Sequence, residues 1–123
     1  MNKKSIGNLG EIYAGKFLIS RNYKILSRNF SCAMGEIDII AVDLTDNELV
    51  FVEVKARTSD IFGEPEDAVD FRKRLKILKT ALYFINSATG KLPFNWRVDV
   101  ISIKLGTLKE ITNLRHIKNI FNG

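Results

Sequence analysis

Two apolar segments of this chain carry acidic residues where a sheet would normally place valine or isoleucine. They are Gly35-Glu36-Ile37-Asp38-Ile39-Ile40-Ala41 and Leu49-Val50-Phe51-Val52-Glu53-Val54-Lys55. A charge inside an apolar strand is costly unless it has a partner, so two nearby strands that both carry one imply a shared site. Side chains alternate across a strand. Glu36 and Asp38 therefore share one side of the first segment, and Phe51, Glu53, Lys55 and Arg57 one side of the second. Thr45-Asp46-Asn47 reads as a hairpin turn between them, which makes the two strands neighbours; one register of the pair, which the spacing does not fix, places Asp38 near Glu53 and Lys55.

The 123 residues are expected to form a single domain spanning 1–123, long enough to bury a core. No apolar run approaches a membrane span. The first residues, with lysines but no apolar stretch behind them, do not read as a secretory signal. A single cysteine, Cys32, excludes an internal disulfide framework and a cysteine zinc cage. A cytoplasmic protein is the expectation. The net charge of +5 favours a polyanionic partner.

The periodicity predicts a helix over Gly7 to Arg21, capped by Ser5, with Ile6, Leu9, Tyr13, Ala14, Phe17 and Leu18 on its inner face and Asn22 ending it. Strands follow over Tyr23 to Phe30, Glu36 to Asp43 and Glu48 to Arg57, with Ala33-Met34-Gly35 as the first turn. The second and third are apolar at successive positions and should be buried on both faces. Thr58 to Pro65 reads as a loop pivoting at Gly63, with Pro65 opening a helix. That helix is placed from Glu66 to Ser87, its inner stripe being Ala68, Phe71, Leu75, Leu78, Leu82 and Ile85. A strand over Trp96 to Lys104 and a shorter one near Leu108 to Thr112 close the sheet, and Leu114 to Phe121 reads as a weak strand or helical turn. The order α-β-β-β-α-β-β implies a central mixed sheet flanked by helices, an α/β sandwich.

Two carboxylates on adjacent strands suit a hard ion, Mg²⁺ or Mn²⁺, with waters and a substrate phosphate completing its shell. A nearby lysine suits the attacking water or the transition state. Glu-x-Lys alone is a cheap pattern, and its bland reading is a surface ion pair. The Asp on the preceding apolar strand and the aliphatic setting of Glu53 weigh against that reading.

These residues, Asp38 with Glu53-Val54-Lys55, resemble the PD-(D/E)-x-K nuclease superfamily with its restriction-endonuclease-like fold. Gly7-Asn8-Leu9-Gly10-Glu11, Ile25-Leu26-Ser27-Arg28-Asn29-Phe30, Val50-Phe51-Val52-Glu53-Val54-Lys55-Ala56-Arg57, Arg97-Val98-Asp99-Val100 and His116-Ile117-Lys118-Asn119-Ile120-Phe121 extend the likeness to the bacterial YraN family of predicted endonucleases. Archaeal Holliday-junction resolvases are a more distant likeness. The resemblance implies Asp38 and Glu53 as metal ligands, Lys55 as the catalytic lysine, and Glu11 as a further ligand or water-holding carboxylate. The superfamily's proline is absent, since Ile37 precedes Asp38.

Glu36 reads as a solvated turn residue rather than a ligand. Arg57, Arg72, Lys73, Lys76 and Arg28 are the candidate contacts to a nucleic-acid backbone, most simply DNA. Arg97 and Asp99 read as a structural pair, His116 as structural, Cys32 as incidental, and Trp96 and Phe94 as core. Gly7-Asn8-Leu9-Gly10 lacks the lysine and spacing of a phosphate loop. The leading reading is a metal-dependent nuclease. The alternative is a non-catalytic nucleic-acid-binding module that keeps the fold, and a third is an interaction protein with purely structural ion pairs. Cutting two strands of a junction would require a homodimer, although no stripe in the sequence marks an interface.

Overall fold

A computed structural model describes residues 2–58 and 70–121. Helix α1 (Lys3–Ser20) leads into β1 (Tyr23–Cys32), β2 (Gly35–Asp43) and β3 (Glu48–Arg57); α2 (Phe71–Ser87) then precedes β4 (Trp96–Leu105) and β5 (Ile111–Ile117). The five strands form one sheet in the order β1-β2-β3-β4-β5. β3 and β4 run parallel and every other pair is antiparallel. This is the α/β sandwich with the element order read from the sequence.

The sheet is apolar on both faces because a helix covers each one. On one face Ala14 and Leu18 of α1 pack against Ile39, Ala41, Val50, Val52, Ile101 and Ile103. The contact is close because Gly10 has no side chain: a Cβ there would lie 2.5 Å from the Ala56 Cβ. On the other face Ile77 and Ala81 of α2 pack against Ile37, Ile40, Leu49, Phe51, Val98 and Val100. There Gly35, at φ +152°, lies under the helix, and a Cβ on it would sit 3.0 Å from the Thr80 hydroxyl.

Several expectations are corrected. α1 starts at Lys3, and its cap is Asn2, whose side chain accepts from the Ser5 N–H at 2.8 Å. Asn22 does take a left-handed conformation, at φ 70°. α2 begins at Phe71, not Glu66, because Asp70 is extended and its carboxylate accepts the Lys73 N–H at 2.9 Å. Its buried residues are Ile77, Thr80 and Ala81, so the helix is rotated from the expected stripe. Phe71 is 81% exposed, and Leu75 and Leu82 are exposed as well. Phe94, expected in the core, is 95% exposed, whereas Trp96 sets its ring edge-on to Phe51. The last strand is Ile111–Ile117 rather than Leu108 to Thr112, so the tail supplies it. The anticipated pivot Gly63, the helix-opening Pro65 and the inner-face Ala68 lie outside the described residues.

Candidate active site

The β2–β3 ladder runs from Asp43↔Glu48 to Ile39↔Val52 and goes no further. Beyond it the strands part, and Asp38 fills the gap with its side chain: Oδ2 accepts the Val54 N–H at 2.8 Å. A carboxylate thus takes over a ladder hydrogen bond, which holds it in the plane of the sheet. From there it reaches both sides. One cleft of about 350 Å³ is lined by Gly35, Glu36, Asp38, Glu53, Lys73, Lys76 and Ile77. Another of about 310 Å³, toward α1, is lined by Asn8, Glu11, Ile12, Arg28, Asn29, Asp38 and Ile39.

Glu53 projects to the α2 side and is 9% exposed. Its Oε1 carries two ammonium groups, Lys73 at 2.8 Å and Lys55 at 3.6 Å. The nearer one comes from the first turn of α2, where the Asp70 cap fixes its backbone. Burial pushes the Asp38 carboxyl up to about 7, assisted by the Glu53 and Glu11 charges and opposed by the Val54 N–H. Burial also lowers the Lys55 ammonium from its ordinary value, and the neighbouring Lys73 lowers it further. Burial alone would lower Lys73 too, but its hydrogen bond to Glu53, its contact with Lys55 and the Glu53 and Asp38 charges together outweigh that, and the net shift is upward.

Glu11 lines the α1-side cleft together with Asp38, and its charge helps raise the Asp38 carboxyl. Among the described residues no three acidic, histidine or cysteine side chains gather as a ready metal cage. The pair on the α2 side is Asp38 with Glu53, and Glu11 stands behind Asp38. Asn29 is a residue that the sequence reading passed over. It lies opposite Asp38, between the pairs Arg28↔Ile39 and Phe30↔Ile37, and adopts φ 53° inside a strand. With its amide nitrogen turned toward Glu11, it donates to Oε1 at 3.2 Å and to Oε2 at 3.1 Å. Asn tolerates the left-handed region better than most residues, so an Asn interrupting β1's alternation was the available signal.

Of the candidate nucleic-acid contacts, Lys73, Lys76 and Arg28 line these clefts. Lys73 is engaged by Glu53, and Lys76 lines the same cleft. Arg72 is exposed on the first turn of α2, and Arg57 is half-buried at the end of β3. Arg28 lines the α1-side cleft and lays its guanidinium over Gly15. Glu36 is exposed at the start of β2.

A second charged cluster occupies the other end of the same strands. Arg97 donates to Asp99 Oδ1 at 3.1 Å, Asp43 Oδ2 at 3.2 Å, Glu48 Oε1 at 2.8 Å and the Tyr23 hydroxyl at 2.8 Å. Asp99 is completed by His116 Nε2 at 2.8 Å and the Asn119 N–H at 2.9 Å. Burial raises the Tyr23 phenol to about 12, and the bonds from Asp99 keep the Arg97 guanidinium firmly charged despite its burial. The structural role expected for Arg97, Asp99 and His116 agrees with this network. A larger hollow of about 640 Å³ lies near Leu92, Phe94 and Trp96, but among the described residues Glu48 is the one ionisable group lining it, and it already pairs with Arg97.

Sheet, flanking helices and element order define a mixed α/β sandwich domain with a carboxylate–lysine cluster at a strand split. The chain belongs to the uncharacterised protein family UPF0102, which it matches over residues 10–103, in agreement with the YraN resemblance. A UPF0102 protein of Caldanaerobacter subterraneus subsp. tengcongensis is 46% identical over 122 residues, covering 98% of each chain. One from Clostridium botulinum (strain Hall) is 48% identical over 119 residues, covering 96% of this chain and 94% of the relative. The crystal structure of a repair endonuclease from Pyrococcus abyssi aligns with a TM-score of 0.44 at 16% identity, over 89% of this chain and 41% of that one. The chain thus spans about two fifths of that protein's length. No described helix is long and apolar enough to cross a membrane.

Proposed function

We propose that this protein is a metal-dependent nuclease that hydrolyses phosphodiester bonds, with DNA as its substrate. The observation that carries the reading is Asp38. Its carboxyl lies in the split between β2 and β3, shares a cleft with Glu53, and is raised to about 7 by burial and by neighbouring carboxylates. Carboxylates crowded so that one resists ionisation gain from a cation, and hard oxygen donors suit Mg²⁺ or Mn²⁺. Asp38 and Glu53 would hold the ion, with Glu11 behind Asp38 to orient a water or add a ligand. When bound, the metal supplies an activated water and neutralises charge on the phosphate.

The chain's own groups do the rest. Lys55 sits beside Glu53 on a rigid strand, where its ammonium would orient the attacking water and stabilise the charge that grows on the phosphate. As the water oxygen bonds to phosphorus, the bond from phosphorus to the leaving oxygen breaks. Lys76 at the cleft and Arg28, Arg57 and Arg72 around it supply positive charge for the flanking backbone.

The test is a cleavage assay on duplex, single-stranded, flapped and four-way-junction DNA with Mg²⁺, Mn²⁺ or EDTA, with Glu53→Ala in parallel. Metal-dependent cutting that Glu53→Ala loses is the expected result. Salt-sensitive binding without cutting under either metal would replace the nuclease with a binding module.

A further inference from the structure

Lys73 holds Glu53 more closely than Lys55 does. Both ammonium groups fall on the same oxygen, Oε1, at 2.8 Å and 3.6 Å. That oxygen belongs to the carboxylate that shares a cleft with Asp38. A divalent ion on Glu53 would enter the field that the Lys73 ammonium now fills, and two cations cannot share one oxygen at hydrogen-bonding range without strong repulsion. The two lysines differ in their freedom to leave. Lys55 is anchored on β3, inside the sheet. Lys73 stands on the first turn of α2, outside the sheet and beside Lys76 at the cleft, although both lysine side chains are about one-third exposed. Its backbone is pinned by Asp70, so a four-carbon stem can swing while its base stays fixed.

We infer that Lys73 is a placeholder cation. It occupies Glu53 while the metal is absent, is displaced when the metal binds, and then binds a phosphate of the nucleic acid. This rests on the nuclease reading of the same site and adds a coupling to it. Metal and nucleic acid each favour the swung-out lysine, so each should tighten the other's binding by the same factor.

The experiment measures Mn²⁺ binding to the full chain by calorimetry and by electron paramagnetic resonance of the free ion, without nucleic acid. Lys73→Met removes the charge and keeps the bulk; Lys73→Gln is the second variant should the first not fold by circular dichroism. Lys73→Arg keeps the charge. The expected result is Mn²⁺ bound about fivefold or more tightly by Lys73→Met or Lys73→Gln, and near wild-type affinity in Lys73→Arg. A fluorescent DNA oligonucleotide held with Ca²⁺ should then bind the neutral variants more weakly than wild type, and without metal that difference should shrink. A lysine that only braces α2 would leave Mn²⁺ affinity unchanged or weaken it, and either result overturns the inference while the nuclease reading stands. If the wild type binds no Mn²⁺, both fall.

Discussion

The ladder between β2 and β3 carries a pair of acidic residues at each end. Asp43 and Glu48 stand at one end, Asp38 and Glu53 at the other, yet the two pairs are treated in opposite ways. Asp43 and Glu48 meet Arg97, whose planar fork also bonds Asp99 and Tyr23, so donors and acceptors are matched. Asp43 accordingly lies below the usual carboxylate range, because the Asp46 N–H and the Arg97 guanidinium outweigh its burial. Asp38 and Glu53 meet lysines, point charges on flexible stems, at one oxygen of Glu53, and Asp38 keeps its proton to about 7. One cluster is closed, whereas in the other two ammonium groups converge on a single oxygen of Glu53. A buried charge cluster therefore reads as structural when its hydrogen bonds are complete and as a ligand site when its carboxylates compete.

Neutralising the open cluster should break this contrast most sharply. Asp38→Asn is expected to cut DNA hydrolysis by about a hundred- to a thousandfold while leaving the metal-free thermal midpoint unchanged or higher; an active variant would remove Asp38 from the site. The closed cluster should respond in the reverse sense. Arg97→Met leaves Asp43 and Asp99 buried without their cation and should cost about 3–5 kcal/mol of stability in urea unfolding. A loss below about 1 kcal/mol would show that the network is not structural.

Acidity should separate the two ends by sign. Asp38 has a folded pKa of about 7 against an ordinary 3.8, so the folded state keeps a proton that the unfolded chain releases. Its contribution is present below pH 4 and fades as pH rises from about 4 to about 7. Asp43, lowered in the fold, contributes above its unfolded pKa and loses that contribution as the solution is acidified through its folded one. Thermal midpoints in EDTA across this range should show the downward component in wild type and lose it in Asp38→Asn. An identical profile in both would contradict the assignment. Two smaller effects test the supports. Asn29→Gly keeps the left-handed backbone but removes the donors to Glu11, and should lower cleavage severalfold with little change in fold. Asp70→Ala removes the α2 cap and should cost about 1 kcal/mol, measured by the same unfolding.

The parts of the molecule governed by period were legible in the sequence. β2 and β3 declare themselves as apolar runs, and the two-residue alternation alone puts Glu53 with Lys55. The face of α2 was not legible, because Phe71, Leu75, Leu78 and Leu82 repeat as regularly as Ile77, Ala81 and Phe84. What decides between the two stripes is Thr80 lying against a bare Gly35 while Ala81 enters the core beside it, contacts between distant segments. The cap at Asp70 lost to a more familiar signal at Pro65. In the site, Asp38, Glu53 and Lys55 were readable, but the approach of Glu11 from the opposite face depends on where β2 and β3 part, which no residue spacing states. Lys73 read as a contact to the nucleic-acid backbone, and only the helix's rotation sets it against Glu53.

The bare Gly35 makes α2 a lever. Its fulcrum is the contact with Thr80, and Lys73 stands seven residues away, an arm of about 10 Å at the helical rise. A tilt of about 5° about that point moves Lys73 by about 1 Å, enough to break a 2.8 Å hydrogen bond to Glu53. A methyl group added at Gly35 would therefore be felt at the far end of the arm, at a carboxylate it never touches.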